Sequence, residues 1–324
     1  MINTLLLVSD NLEDHAFATE VAKVSGLALK AVSKPLEAVE FVAAHGVCAI
    51  FYEIASESAF REFEDLVQEK IGLFSDHLDP NNVHFLCTEN LDRCLYLLQS
   101  PLFGNFVLRN YGDPKVSGAI YGRTLRTQKN TGKQGLGSFL KPGAHLQIVH
   151  LASSLQKLEA VEATKKYLQA AKFQTRTSLV IANAVDELIM NAIFDAPVDD
   201  EGKMIYNSLP RSAELALAGR AAVEMQLGFD GICVGISVTD QYGSLDKARM
   251  LKLVSKSYAA DDYKVRLTTA SAGIGLATVF RLGGSFVIRS QAKKKTEVTV
   301  LFQKTANYRD FKDQFRFLVT QIDS

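Results

Sequence analysis

The chain has 324 residues, enough for about two domains on the usual length scale, and 47% of them are hydrophobic, enough for two cores. Its 36 basic and 36 acidic residues cancel, so no global charge draws it to nucleic acid or to an anionic membrane. Cys48, Cys87, Cys94 and Cys233 follow neither metal-ligand nor disulfide-framework spacing and read as reduced core thiols. His84 stands three residues before Cys87, but a zinc site would need two further ligands. The apolar run at 4–8 is too short for a signal-peptide core, and no run approaches the roughly twenty residues of a membrane span. A cytoplasmic chain is expected.

The first half alternates strand and helix. Residues 5–8 form a short apolar run ending in Ser9-Asp10, and 14–24 carry a helical pattern. Residues 28–32 read as a second strand, and Pro35 suits the first turn of a helix bearing Ala38, Val39, Phe41 and Val42. The run 47–52 is continuous enough for a buried parallel strand. An amphipathic helix at 58–71, a strand at 83–87, a helix at 91–98 and a strand at 106–108 complete five strand–helix steps. Such a repeat predicts a doubly wound parallel sheet covered by helices on both faces.

Residues 113–142 break the pattern. Gly118, Gly122, Gly132, Gly135 and Gly137 stand among six basic residues, and composition predicts a glycine-rich basic linker. Gly132-Lys133 is not a P-loop, because Gln134 follows and no strand leads in.

From 143 onward the style changes. Residues 145–151 read as a strand and 155–168 as a helix, and a second helix begins near Thr177 and ends before Pro197. Two hairpins follow, 222–227 with 232–238 across Asp230-Gly231, and 286–288 with 297–302 across Lys293-Lys294-Lys295. Antiparallel strands with helices on one face predict an α+β sandwich. The stretch 197–219 is longer than a simple connection, with 212–218 read as a helical candidate.

Three separated stretches of this half carry candidate chemistry. Glu187 and Asn191 are one turn apart, so both side chains project the same way. An Asn191 oxygen suits Mg²⁺, and Glu187 suits proton abstraction from an attacking hydroxyl or water. The same spacing also serves an ordinary polar helix face. Asp240 ends an apolar strand, where a carboxylate can accept the amine proton of adenine or simply cap the next turn. Gly243 would permit close approach of base or ribose. In Thr269-Ala-Ser271-Ala-Gly273-Ile-Gly275-Leu276 the glycines open a helix whose amides favour phosphate oxygens, with the Thr269 and Ser271 hydroxyls alongside. Residues 244–267 between these stretches form a candidate lid carrying Lys252, Lys256, Lys264 and Arg266.

In order and spacing these three stretches resemble the ATP-binding domain of the GHKL superfamily (a Bergerat-type fold), across about residues 143–304. Within it the resemblance is closest to the anti-sigma-factor serine kinases, since no phosphoacceptor His precedes an acid as in histidine kinases. That likeness implies an ATP- and Mg²⁺-dependent serine protein kinase acting on a small partner, an anti-sigma-antagonist-like or sigma-factor-like protein. It implies Glu187 as the base, Asn191 as the magnesium ligand, and Asp240, Gly243, Thr269, Ser271, Gly273, Gly275 and Leu276 as nucleotide contacts. The family's glycine directly after Asp-x is replaced by Tyr242. A non-catalytic module that binds nucleotide or a partner is the alternative, and a homodimer stays open.

The first half, residues 1–112, resembles the receiver domain of response regulators. It departs at the active positions: one acid, Asp10, where a pair is needed; Glu53 for the phosphoacceptor Asp; Thr88 in place; and Arg109 for the Lys. The longer arm of Glu53 misplaces its carboxylate for in-line transfer. The expectation is therefore a degenerate receiver-like domain (1–112), a linker (113–142) and an ATP-binding domain (143–324), joined in a two-component-like signalling regulator.

Overall fold

A computed structural model describes residues 3–45, 49–71, 78–129, 135–206, 208–251 and 279–322. The chain is mixed α/β, with both parallel and antiparallel strands. It divides into two compact units. The first comprises Met1–Gln134 with Phe315–Thr320, and the second Gly135–Gln314 with Gln321–Ser324.

In the first unit β1 (Thr4–Val8), β2 (Ala28–Val32), β3 (Ala49–Ile54), β4 (Val83–Cys87) and β5 (Asn105–Leu108) are parallel, in the spatial order β2-β1-β3-β4-β5. Strands β1, β3, β4 and β5 are buried almost throughout, as strands covered on both faces must be. The crossovers carry α1 (Leu12–Ser25), α2 (Pro35–His45) and α3 (Glu57–Ile71). Asn11 caps α1 by accepting from the Glu13 amide at 2.8 Å, and Gly26, at φ 73°, ends it in a left-handed turn. Between β4 and β5 the expected helix at 91–98 is instead two 3-10 turns, Leu91–Arg93 and Leu95–Gln99. Cys94 interrupts them, and both turns are too short to propagate α geometry.

The predicted linker is mostly structure. Residues Pro114–Lys129 form helix α4, with Pro114 in its first turn and Asp113 accepting from the Lys115 amide at 2.9 Å. Gly118 and Gly122 lie one turn apart against α1. A Cβ on Gly118 would stand 2.8 Å from the Phe17 carbonyl oxygen, and one on Gly122 would stand 2.8 Å from the Val24 Cβ. These glycines therefore let two helix backbones approach, a use that composition cannot tell from chain flexibility. The other end of the predicted linker belongs to the second unit. Leu136, Phe139 and Leu140 are buried there, the Leu136 amide donates to Gln226 at 2.9 Å, and the Lys141 amide donates to Asp230 at 2.9 Å.

A strand that sequence periodicity did not reveal, β11 (Phe317–Ile322), joins the first unit antiparallel to β5, with Phe317 opposite Val107. Asn105 is buried and receives the Thr320 amide at 3.1 Å while donating to the Val83 carbonyl at 2.9 Å. Phe317 packs edge-on to Tyr121 of α4, with ring centroids 4.9 Å apart.

In the second unit β6 (His145–Leu151), β7 (Val223–Phe229), β8 (Cys233–Asp240), β9 (Ser285–Gln291) and β10 (Lys295–Gln303) are antiparallel in the order β9-β10-β8-β7-β6. Asp230 fixes the β7–β8 turn by accepting from the Ile232 and Cys233 amides, and Gly231 supplies φ 90°. Helices α5 (Gln156–Ala170) and α6 (Thr175–Met190) pack on each other, and α6 rests on β8 and β10. A short helix, α7 (Tyr308–Lys312), follows β10. Residues 212–218 are not helical. Ala216 bridges Ser153, and the Leu217 amide donates to the Ala152 carbonyl at 2.9 Å, so pairing overrides their helical composition. The stretch Thr175–Asp195 is long and apolar enough to cross a membrane, but it is mostly buried inside this unit, as core helices are.

Candidate functional site

Helix α6 does not end as an α-helix. After Met190 the chain widens into a π-helical turn, Asn191–Asp195, closed by the Ala196 amide on the Asn191 carbonyl at 2.8 Å. Such turns are frequent at functional positions, because the extra residue re-aims side chains at a cost in backbone geometry. Asn191 sits at the switch, its amide shared between the Glu187 and Leu188 carbonyls. Glu187 and Asn191 are both half-buried. Burial raises the Glu187 pKa above the ordinary carboxylate value, Asp186 and Asp195 reinforce the shift, and Arg211 and Lys157 oppose it.

Asp240 is the last residue of β8, a strand buried along nearly all its length. Its carboxylate is 5% exposed and accepts the Tyr242 amide at 2.8 Å. Burial pushes its pKa up to about 6, against the pull of hydrogen bonds from the Tyr242 and Gly243 amides. The segment after Asp240 is fastened to the π-turn. Ser244 Oγ donates to the Ala196 carbonyl at 2.7 Å, and Arg249 Nη2 donates to the Asp195 carbonyl at 3.0 Å. The π-turn itself packs against β8. The Glu187–Asn191 and Asp240 stretches are thus neighbours in one unit.

Gly243 has a local reason to be glycine. Its φ is 57°, and a Cβ would stand 2.0 Å from the Gln291 carbonyl oxygen and 2.7 Å from the Lys294 nitrogen, in the β9–β10 turn. Tyr242, where the resemblance asks for glycine, is buried with the Arg220 guanidinium 4.9 Å above its ring. Thr269, Ser271, Gly273, Gly275 and Leu276 lie outside the described residues, as do Lys252, Lys256, Lys264 and Arg266 of the expected lid.

Sequence reasoning missed a pair beside Glu187. Arg211 Nη2 meets Asp195 Oδ1 at 2.8 Å, and its guanidinium lies 5.3 Å from the centre of the Phe194 ring. Asp195 Oδ2 and Arg211 Nη1 are buried without a hydrogen-bond partner, a costly state for charged atoms. The signal was present as a charge four residues beyond Asn191 on an otherwise apolar turn, but its partner sits in a long irregular connection. Among the described residues, no group of three or more His, Cys, Asp or Glu side chains could hold a metal ion. The expected magnesium site, resting on a single amide, is of a different kind.

The first unit carries a second cluster, at the ends of its parallel strands. Arg109 Nη1 meets Glu53 Oε1 at 2.7 Å and its Nε meets Asp14 Oδ1 at 2.9 Å. Ser9 Oγ lies 2.6 Å from both carboxylates, and Tyr111 donates its hydroxyl to Asp14 at 2.7 Å. Asp14 is fully buried, whereas Asp10 and Thr88 are exposed. The acid that matters here is Asp14, and its signal was a charged residue on the stripe shared with Phe17, Ala18 and Val21. Burial works against the Arg109 charge, but Asp14 and Glu53 together hold its pKa above the ordinary value. Burial, then the Asp14 charge, push the Tyr111 hydroxyl well up, so it remains a donor.

No protein-family model matches this sequence, and no curated protein matches it.

Proposed function

We propose that the second unit binds Mg-ATP and transfers its γ-phosphate to a serine of a small partner protein, and that the first unit is a receiver-like docking domain that does not accept phosphate. The observation that carries this reading is the buried Asp240 carboxylate at a strand end, beside a π-turn that presents Asn191 one turn after Glu187. A buried carboxylate suits the adenine amine, since a donor inside a low-dielectric site counts for more than one in water. Asn191 offers the hard oxygen that magnesium takes alongside phosphate oxygens and water. In this reading Glu187, whose pKa burial raises, accepts the serine proton. The phosphate-holding part of the reading rests on Gly273 and Gly275 in the sequence alone. The strand order β2-β1-β3-β4-β5 supports the doubly wound, receiver-type reading of the first unit. Arg109, fixed between Glu53 and Asp14, supports its inability to accept phosphate. A cytoplasmic signalling regulator is the setting these parts fit.

The second reading is a nucleotide- or partner-binding module without catalysis. It is favoured by Arg211, whose charge already acts on Glu187 and which is held by Asp195 and Phe194.

Calorimetric titration with ATP and Mg²⁺ tests both. Heat with the parent chain that is lost in Asp240→Asn supports the nucleotide site, and no heat with the parent overturns it. Glu187→Gln then separates the readings: the kinase keeps ATP binding and loses transfer, whereas the binding module keeps both ATP and its signalling.

A further inference from the structure

At the start of α6, far from Glu187 and Asn191, the chain before the helix lies alongside the chain after β10. The Lys304 ammonium donates to the Ala171 carbonyl at 2.8 Å, and the Gln174 side chain donates to the Ala306 carbonyl. The Arg176 guanidinium lies 4.0 Å over the Tyr308 ring, and the Lys312 ammonium lies 5.8 Å from the same ring centre. Helix α7, which carries Tyr308 and Lys312, packs on α6. Arg176 is in the first turn of α6 and Glu187 in the last, about 16 Å along the axis.

The charge of this surface is one-sided. Lys172, Arg176, Lys304, Arg309 and Lys312 stand against Asp310 and Asp313, and Asp310 is engaged by Asn307. Arg176, Arg309 and Lys312 are exposed, and none makes an ion pair with a described residue. Stacking on Tyr308 holds the Arg176 fork in place, while its guanidinium donates to no described residue. The first turn of α6 has no acid and Gln174 gives no side-chain cap, so the helix end adds to the positive field. Leu179, 48% exposed, shares the Arg176 face three residues on.

We propose that this surface docks an acidic stretch of a partner protein, whose carboxylates pair with Arg176, Arg309 and Lys312 while an apolar side chain meets Leu179. Charge complementarity selects the occupant. The fixed Arg176 fork can give a carboxylate two parallel N–H bonds. A nucleic acid finds less here, because Arg176 already covers the Tyr308 face on which a base would stack. A membrane surface needs a broader apolar face than one leucine provides. The proposal holds whether or not the second unit binds ATP.

Fluorescence anisotropy of the full chain with a labelled peptide alternating glutamate pairs and leucines tests it. Binding at low salt is expected, and combining Arg309→Glu with Lys312→Glu should weaken it at least about tenfold. Arg176→Lys keeps the charge but loses the fork, and should weaken it about threefold. Circular dichroism melts of these variants should follow the parent, and Arg309→Gln with Lys312→Gln serves if the reversed pair does not fold. The same peptide with glutamine for glutamate should not bind. No binding of the acidic peptide at millimolar concentration overturns the proposal, as does equal binding of the glutamine peptide or of the reversed-charge variant. Tighter binding of a single-stranded oligonucleotide or of phosphatidylserine vesicles overturns it equally.

Discussion

Arg109 on the strand-end loop after β5 holds Glu53 at the end of β3 through a 2.7 Å ion pair, and reaches Asp14 of α1 with its other edge. One guanidinium thereby stands where the carboxylates would otherwise repel each other, and it joins the loop after β5 to β3 and to α1. Removing it would leave the fully buried Asp14 charge with only Ser9 and Tyr111 for company. Arg109→Ala is expected to destabilise the first unit by about 3–5 kcal/mol. Glu53→Gln, at a side chain still 26% exposed, should cost much less. Urea unfolding of the two variants ranks them, and equal losses would contradict the account.

The α1–α4 crossing makes a prediction whose sign is diagnostic. A glycine to alanine change on an open helix face stabilises by roughly 0.4–1 kcal/mol, because the unfolded chain loses freedom. At Gly122 the new methyl would meet Val24 and the Val21 carbonyl oxygen, both within 3.0 Å. Gly122→Ala should therefore destabilise, by about 1–3 kcal/mol. A rise in thermal midpoint would show that the crossing is looser than described.

His84 sets a pH dependence in the first unit. It is fully buried, its Nδ1 lies 2.6 Å from the Tyr121 hydroxyl, and burial lowers its pKa to about 3. The unfolded chain then binds a proton below about pH 6.5 that the folded chain refuses until about pH 3. Stability is lost as pH falls through that window, at roughly 1.4 kcal/mol per unit. Between pH 7 and 5 the parent should lose about 2 kcal/mol more than His84→Phe, by denaturant titration at each pH. Parallel losses in the two proteins would rule out His84 as the source.

Asp240 gives the opposite sign. Its folded pKa, about 6, lies above the ordinary 3.8, so its stabilising share is full below about 3.8 and is lost as pH rises through 6. At neutral pH the ionised side chain costs on the order of 3 kcal/mol. Asp240→Asn keeps the acceptor for the Tyr242 amide and removes the charge. It should be more stable than the parent by about 1–3 kcal/mol at pH 7 and no more stable at pH 4. Thermal melts at both values decide it, and a variant weaker than the parent at pH 7 would mean that the carboxylate is there for structure.

Much of the secondary structure was legible because burial imposes a period. The strand at 83–87 coincides with β4, and Pro35 opens α2 as its fixed φ suggests. What failed had no local period to read. Gly118 and Gly122 stand where a partner helix approaches, which only the folded pair reveals. Residues 212–218 have helical composition but follow Ala152–Ser154 in extended pairing. Phe317 and Val319 of β11 were too near the end of the chain to suggest a strand of the first unit. In the candidate site, Glu187, Asn191 and Asp240 could be chosen from spacing. The Asp195–Arg211 pair could not, since its members lie sixteen positions apart in the sequence. The π-turn at Asn191 also escaped, because its widening depends on packing rather than on residue type.

The pairing of Phe317 with Val107 bears on the order in which the polypeptide matures. A ribosome delivers β1 to β5 and α1 to α4 long before residues 315–320 leave the exit tunnel. Until then β5 offers an unfilled backbone edge, and buried Asn105 lacks the Thr320 amide it accepts at 3.1 Å. The first unit thus waits, nearly assembled, for a segment translated long after its other strands.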